Sequence, residues 1–452
     1  MLSKHFQPTD TSNKMRLHSK LIPVILSLFL GCFLAKDLYE ANNNPLVDLR
    51  NRVVGSRVLN TGVSPYTFRW QPGDPTSLLN QYDLYSPQYS FCTATPAFLC
   101  LIKPLAGLSY SHIKFYWTIF SFICVAWILL SLYAKKNITV KQQIILGIIS
   151  VLFLAGNNWR QSVIQGQYYV LFPFLLLAAY ALTLNKKNRQ LTAFIILVGI
   201  ASLLRPILLL IVMPLIINPS YYAAILKGGI VTCGLVGLYL LSTGELREWR
   251  LYSKSSGYWL NHYKTSPDSL KDVPQINQYW ASKGKLIEGE AGTETKAVEP
   301  GMPSQITSQT LNLTHVSKTI TGKSIPLYLC ILLWGIIAGT ILGYMIWKKK
   351  NTIDDCLVGG FMLYYLLEIL LPVPKNSYCF PEILLPVSLL WKMNKINSAQ
   401  LYIITVCLFI MCIPVKVFPL QLVCSEFFIM ATLIYCYLKQ GTLSHKQFNR
   451  RE

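Results

Sequence analysis

Arg205, set inside an apolar run, is the first residue here whose type and place suggest chemistry. It ends the run 191–204 and is followed at once by Pro206, in LLRPILLLIVMPLII. A guanidinium in hydrocarbon costs anything from about 2.5 to more than 10 kcal/mol, so such residues face a cavity, a partner or an anion. The proline kinks or ends the helix and frees backbone groups beside the charge. A cation at a helix break at membrane depth suits a lipid-linked phosphate; pairing with a neighbouring helix is the alternative. Before it, across a short basic hairpin, come Asn157, Asn158, Arg160, Gln165 and Gln167. Gln165 and Gln167 can donate amide hydrogen bonds to sugar hydroxyls or phosphate, or can form a hydrogen-bonded helix start. Arg160 suits the same ligands, or snorkels to the interface.

Carboxylates gather in the polar segment 37–89: Asp37, Glu40, Asp48, Asp74 and Asp83. Asp74, in PGDP, reads as turn chemistry. Asp83 stands just before Tyr85-Ser86-Pro87 and is a second candidate beside Asp48, which can also be read as an ion pair with Arg50 or Arg52 or as a helix cap. His262 and His315 lack metal-ligand spacing, and the 12 cysteines lie mostly within apolar runs without a CxxC pair. No metal site and no certain cofactor are predicted, with a divalent ion beside Asp48 left open. Neither GxxxxGK[ST], GxGxxG nor GxSxG occurs, so nucleotide hydrolysis and serine-esterase chemistry are not indicated.

These residues must be positioned by membrane helices. With 52% hydrophobic and 13% charged residues, the composition is that of an all-α, polytopic integral membrane protein. The net charge of +21 is a topology signal: Lys135-Lys136, Lys186-Lys187, Lys348 to Lys350, Lys392 to Lys395 and the tail face the cytoplasm. With no basic domain, nucleic acid is excluded as a partner and the lipid bilayer takes its place. The predicted order is a cytoplasmic amino terminus (1–20), a catalytic transmembrane module (21–242) with an external loop (37–89), a second external loop (243–325), carboxy-terminal helices (326–438) and a cytoplasmic tail (439–452). Run 21–36 reads as a retained anchor, and the total is about 12 crossings. VDLRNRVVGSRVLN predicts an amphipathic helix on the membrane surface. Segment 85–110 predicts a short apolar helix that does not cross, and 191–217 a run bent at Pro206 and Pro214. Tyr258 and His262 fall in an aromatic stretch that suits a saccharide site.

A Gly166-Gln167 opening one helix, a basic turn, and a second helix ending in Arg205-Pro206 resemble the polyprenyl-phosphate-mannose-dependent transferases of glycosyltransferase family 87, over roughly residues 45–217. The resemblance implies a GT-C-type fold with Asp48, in the context D-x-R…G-x-S-P-Y, as the base that deprotonates the acceptor. Where the family usually has lysine this chain has Arg205, whose forked donors suit phosphate. Tyr85-Ser86-Pro87 replaces a Tyr-Pro-Pro, and LPVPKNSYCFPEILLP brings Lys375, Asn376, Tyr378 and Glu382 where a His-Tyr pair is usual. The implied partners are a polyprenyl-phosphate hexose, mannose in the first instance, and a glycolipid or glycan acceptor, joined with inversion on the external, periplasmic face of a bacterial plasma membrane. Two other classes share these features: an O-antigen polymerase or ligase-like enzyme, relying on external arginines rather than Asp48, and a lipid-linked saccharide transporter, which would show repeated halves with midplane sites.

Overall fold

The computed structural model describes residues 10–68, 70, 73–79, 92–135, 138–183, 188–243, 246–265, 313, 317, 321–323, 325–349, 352–370, 377–413 and 421–439. Among them there are helices and turns but no β-strand. The long helix α1 (Asp10–Asn43) leads to α2 (Val47–Asn60) through Leu46, held in the left-handed region at φ 48° and ψ 61°. The short α3 (Pro96–Ile102) is started by the Thr95 side chain, which accepts from the Phe98 N–H, and α4 (Tyr110–Ser131) by Ser109 in the same way. A capping box of Thr139 and Gln142 opens α5 (Val140–Ala155), and α6 (Asn157–Ile164) follows after Gly156.

Next come α7 (Leu171–Thr183) and α8 (Asn188–Leu204). Pro206 then stops the α-helix, as its fixed ring and missing N–H require. The chain continues as 3-10 turns, Pro206–Ile211 and Met213–Ile217, before α9 (Tyr222–Thr243) and α10 (Leu246–Thr265). The last third holds α11 (Leu327–Trp347), α12 (Ile353–Leu370), a 3-10 stretch Ser377–Ile383, α13 (Leu384–Lys392), α14 (Ser398–Cys412) and α15 (Gln421–Lys439).

Four described helices are long and apolar enough to cross a membrane: Tyr110–Ala134, Pro219–Leu241, Leu327–Trp347 and Gln421–Lys439. The pair α5 and α6, bent by 46°, makes a fifth if it is one span. Other apolar runs form shorter helices, and the run 191–217 is interrupted at Arg205, Pro206 and Pro214. Helix Pro96–Leu105 rises only about 15 Å at 1.5 Å per residue against roughly 30 Å of hydrocarbon, too little to cross alone.

Helix α2 corrects one expectation. VDLRNRVVGSRVLN is helical, but every residue from Leu49 to Val58 is buried, so it does not lie on a surface. The reason is that its arginines find oxygen partners inside the protein. Arg57 donates to the carbonyls of Ala106, Ser77 and Leu108 at 3.0, 2.9 and 2.9 Å, and Arg50 to that of Leu79 at 3.1 Å. Buried cations are tolerated when hydrogen-bonded in this manner. Gly55, whose missing Cβ would stand 2.9 Å from Cys92 Sγ and 3.2 Å from Leu99 Cδ2, lets α3 pack closely on α2.

Candidate active site

Two segments far apart in sequence meet at the first turn of α2. Gly166 adopts φ +64°, and a Cβ there would stand 2.5 Å from Leu49 Cβ and 3.2 Å from Leu46 Cβ. Only glycine meets both demands. The Leu49 N–H donates to the Gln165 carbonyl at 3.3 Å, and the Gln167 N–H to the Ser162 carbonyl at 2.9 Å, so the turn after α6 is fastened from both sides. Asp48 lies in the first turn of α2, where the helix dipole favours a carboxylate. The Gln167 side chain is buried against it and donates from Nε2 to Asp48 Oδ2.

From there a chain of contacts runs along the turn. Arg52 donates from Nη2 to Gln167 Oε1 at 2.7 Å and from Nη1 to the Gly166 carbonyl at 3.0 Å. Its guanidinium lies 4.5 Å from the Tyr168 ring centre. Tyr168 stacks on Tyr169 with centroids 5.1 Å apart, and Tyr169 on Tyr378 at 5.6 Å. Arg205 lies 4.6 Å from the Tyr169 ring centre on a further side of the same cluster. Its extended backbone, φ −151°, sits where α8 has ended. Arg205 donates from Nη1 to Glu382 Oε1 at 2.8 Å and from Nη2 to Glu368 Oε1. Both carboxylates are buried, and the Tyr364 hydroxyl also donates to Glu382, at 2.8 Å. Asp48 and Arg205 thus stand at two ends of one contiguous strip, Gln167-Tyr168-Tyr169.

The other candidates fall around this strip. Arg160 forms a two-pronged pair with Glu40 of α1, at 2.9 and 3.1 Å, instead of projecting alone. Its hydrogen bond holds the Glu40 carboxyl below the usual carboxylate range. The neighbouring Trp159 indole donates to Asp37 at 2.7 Å. Gln165 contributes its backbone carbonyl, as above, and its side chain is half-buried. Tyr378 joins the aromatic cluster. Lys375, Asn376 and Asp83 lie outside the described residues, as do the side chains of Tyr258 and His262, although α10 includes both positions.

Helix α10 reaches the site through its first turns. Glu248 accepts from the Ser64 hydroxyl at 2.5 Å, and Tyr252 meets Tyr66 edge-on at 5.7 Å. Burial pushes the Tyr252 phenol above its ordinary range, with Tyr168 adding to the shift and Arg205 opposing it. A cavity of about 10 Å³ lies beside Gly166 and Gln167, between Trp117 and Trp159, the size of one water rather than a sugar. Among the described residues no three His, Cys, Asp or Glu side chains converge to hold a metal.

Tyr168, Tyr169 and Glu368 are members of the strip to which motif reading gave no role. A signal for Glu368 existed: it is an acidic residue within an apolar run, as Arg205 is a basic one, and opposite charges at membrane depth pair with each other. Arg52 was read only as an ion-pair partner for Asp48; its contacts with Gln167 and Gly166 are to a chain segment that only the fold brings near.

Residues 93–289 match the family model of Glycosyltransferase family 87. The family resemblance seen over roughly residues 45–217 is therefore borne out from residue 93 onward, a span that contains the positions of Gln167 and Arg205, while Asp48 precedes the match. The match indicates a glycosyltransferase, and the apolar helices indicate a membrane protein. No curated protein matches the chain.

Proposed function

We propose, from the premise that this chain carries a family 87 region and is a glycosyltransferase, that it moves a hexose, mannose in the first instance, from a polyprenyl-phosphate donor to a hydroxyl of a glycolipid or glycan. Asp48 takes the proton of the acceptor hydroxyl as that oxygen attacks the anomeric carbon. The bond from that carbon to the phosphate oxygen breaks with its electron pair, releasing polyprenyl phosphate, and the new glycosidic bond forms on the opposite face. The proton ends on Asp48, so charge and atoms balance. General base catalysis of this kind contributes roughly 10²–10⁴-fold.

The observation that carries the reading is the strip itself, with a carboxylate at one end and a guanidinium at the other. In this reading the donor phosphate approaches Arg205 in competition with Glu368 and Glu382, and the tyrosine cluster lies between phosphate and base. The site faces outward from the plasma membrane, with Lys135 and Lys187 on the cytoplasmic side.

The test uses the full-length protein in nanodiscs, supplied with radiolabelled polyprenyl-phosphate mannose and a glycolipid extract. Labelled glycolipid with inverted anomeric configuration and free polyprenyl phosphate are expected. Transfer from a soluble nucleotide-mannose in the absence of the lipid donor contradicts the proposal.

A further inference from the structure

The end of a glutamine side chain has two sides of opposite polarity, an acceptor oxygen and an NH₂ donor, and which side meets a carboxylate decides between attraction and repulsion. Here a second residue settles the choice. Arg52 offers only donors, and its Nη2 lies 2.7 Å from Gln167 Oε1. The oxygen is thereby committed to Arg52, and Nε2 must point at Asp48 Oδ2. Arg52 is itself held by the Gly166 carbonyl and the faces of Tyr168 and Phe98. Both Arg52 and Gln167 are buried, at 7% and 2% exposure, which leaves little room for either to turn.

We propose that Gln167 and Arg52 are positioning residues for Asp48: the arginine fixes the amide, and the amide holds the carboxylate in one rotamer and in its charged form. This inference rests on Asp48 being the base. It gives Gln167 a task different from binding the donor. It also explains why a glutamine directly follows the left-handed Gly166, since that turn brings the residue after it against the first turn of α2.

Full-length enzyme in nanodiscs, supplied with polyprenyl-phosphate mannose across a pH series, tests it. Among the described residues, Tyr110 on α4 is coupled electrostatically to Asp48 and to Arg50, Arg52 and Arg57 on α2, with Lys114 beside the Tyr110 ring and Tyr168 in the turn against Arg52. All of these are retained in Gln167→Met, so a moved profile reports the amide. Losing a hydrogen bond to its charged form raises a carboxyl pKa, and a base works only when deprotonated. The acidic limb of kcat should therefore move up by about one pH unit, with kcat at neutral pH falling about tenfold and donor KM within about twofold.

Arg52→Met, which releases the amide, should move the limb the same way, and Arg52→Lys, which keeps a donor for Oε1, should restore part of the loss. If Gln167→Met does not accumulate as folded protein, the milder Gln167→Asn, which withdraws the same donor, is read in its place. An unmoved acidic limb in the Gln167 and Arg52→Met variants overturns the proposal, as does a loss confined to donor KM. Asp48→Asn separates the two levels: an active Asp48→Asn enzyme removes the base itself, whereas an inactive one beside Gln167 variants with an unmoved limb removes only the positioning role.

Discussion

Replacing Arg205 with an uncharged residue would leave Glu368 and Glu382 buried without their shared cation, and breaking a buried ion pair from one side costs about 3–5 kcal/mol. Arg205→Met should accordingly accumulate poorly and melt well below the parent protein in detergent, whatever its part in catalysis. Glu368→Gln is the more informative change. It keeps the Arg205 to Glu382 pair at 2.8 Å and removes one carboxylate competing for the guanidinium. If the donor phosphate meets Arg205, this variant should bind donor several-fold more tightly, seen as a lower donor KM; an unchanged KM with a lower melting temperature assigns Arg205 to structure alone. Half of this arrangement was legible from the chain. Arg205-Pro206 announced a charge at a helix break, but a sequence does not say which of two solutions, phosphate or carboxylate, satisfies it. The structure supplies two carboxylates and leaves the phosphate to experiment.

At the scale of elements, the site depends on how closely α2 approaches the turn after α6. Gly166→Ala would place a methyl 2.5 Å from Leu49 Cβ at φ +64°, adding a clash to an unfavourable backbone region. A loss of more than about 1 kcal/mol of stability is expected, together with a large fall in transfer rate, because Asp48 and Gln167 are carried on the two surfaces pushed apart. Chemical unfolding and a rate assay on the same preparation check both.

The Arg160 pair with Glu40 ties α6 to α1 and gives a pH-dependent test. The folded protein holds Glu40 below its ordinary value of 4.5, chiefly through the Arg160 hydrogen bond. That contribution is present above the unfolded value and is lost as pH falls through the folded one. Glu40→Gln should lower stability by at most about 1 kcal/mol at neutral pH, as exposed pairs do, and the difference should shrink as pH falls below the ordinary Glu value of 4.5 and vanish below the lowered folded value. That VDLRNRVVGSRVLN forms a helix was readable from its spacing of apolar residues. The depth of α2 was not, since its arginines are satisfied by carbonyls of chain segments that only the fold brings near.

Across the whole molecule, apolar composition correctly indicated a helical membrane protein, but a count of apolar runs says little about how many are long enough to cross. Helices α9 and α11 look like lipid-facing spans: Leu226, Leu241 and Ile336 are 65%, 84% and 59% exposed, an exposure that lipid rather than water accommodates. The proposed orientation rests on the charge gaps. Lys141 and Arg247 are both exposed in the fold and belong to opposite sides in the proposed topology. On intact cells, Arg247→Cys should react with a membrane-impermeant maleimide above the level of the unsubstituted protein, while Lys141→Cys should react only after permeabilisation. The reverse pattern would turn the protein over and put Asp48 inside.

The claim on which all of this rests is that Asp48 takes the acceptor proton. It is tested most directly by the transfer rate of Asp48→Asn, whose side chain keeps the shape and an acceptor oxygen for Gln167 but is no base. With polyprenyl-phosphate mannose as donor, and folding confirmed by an unchanged elution volume, the account predicts a fall in kcat of roughly 10²–10⁴-fold with donor KM nearly unchanged. A rate within about threefold of the parent enzyme would contradict it.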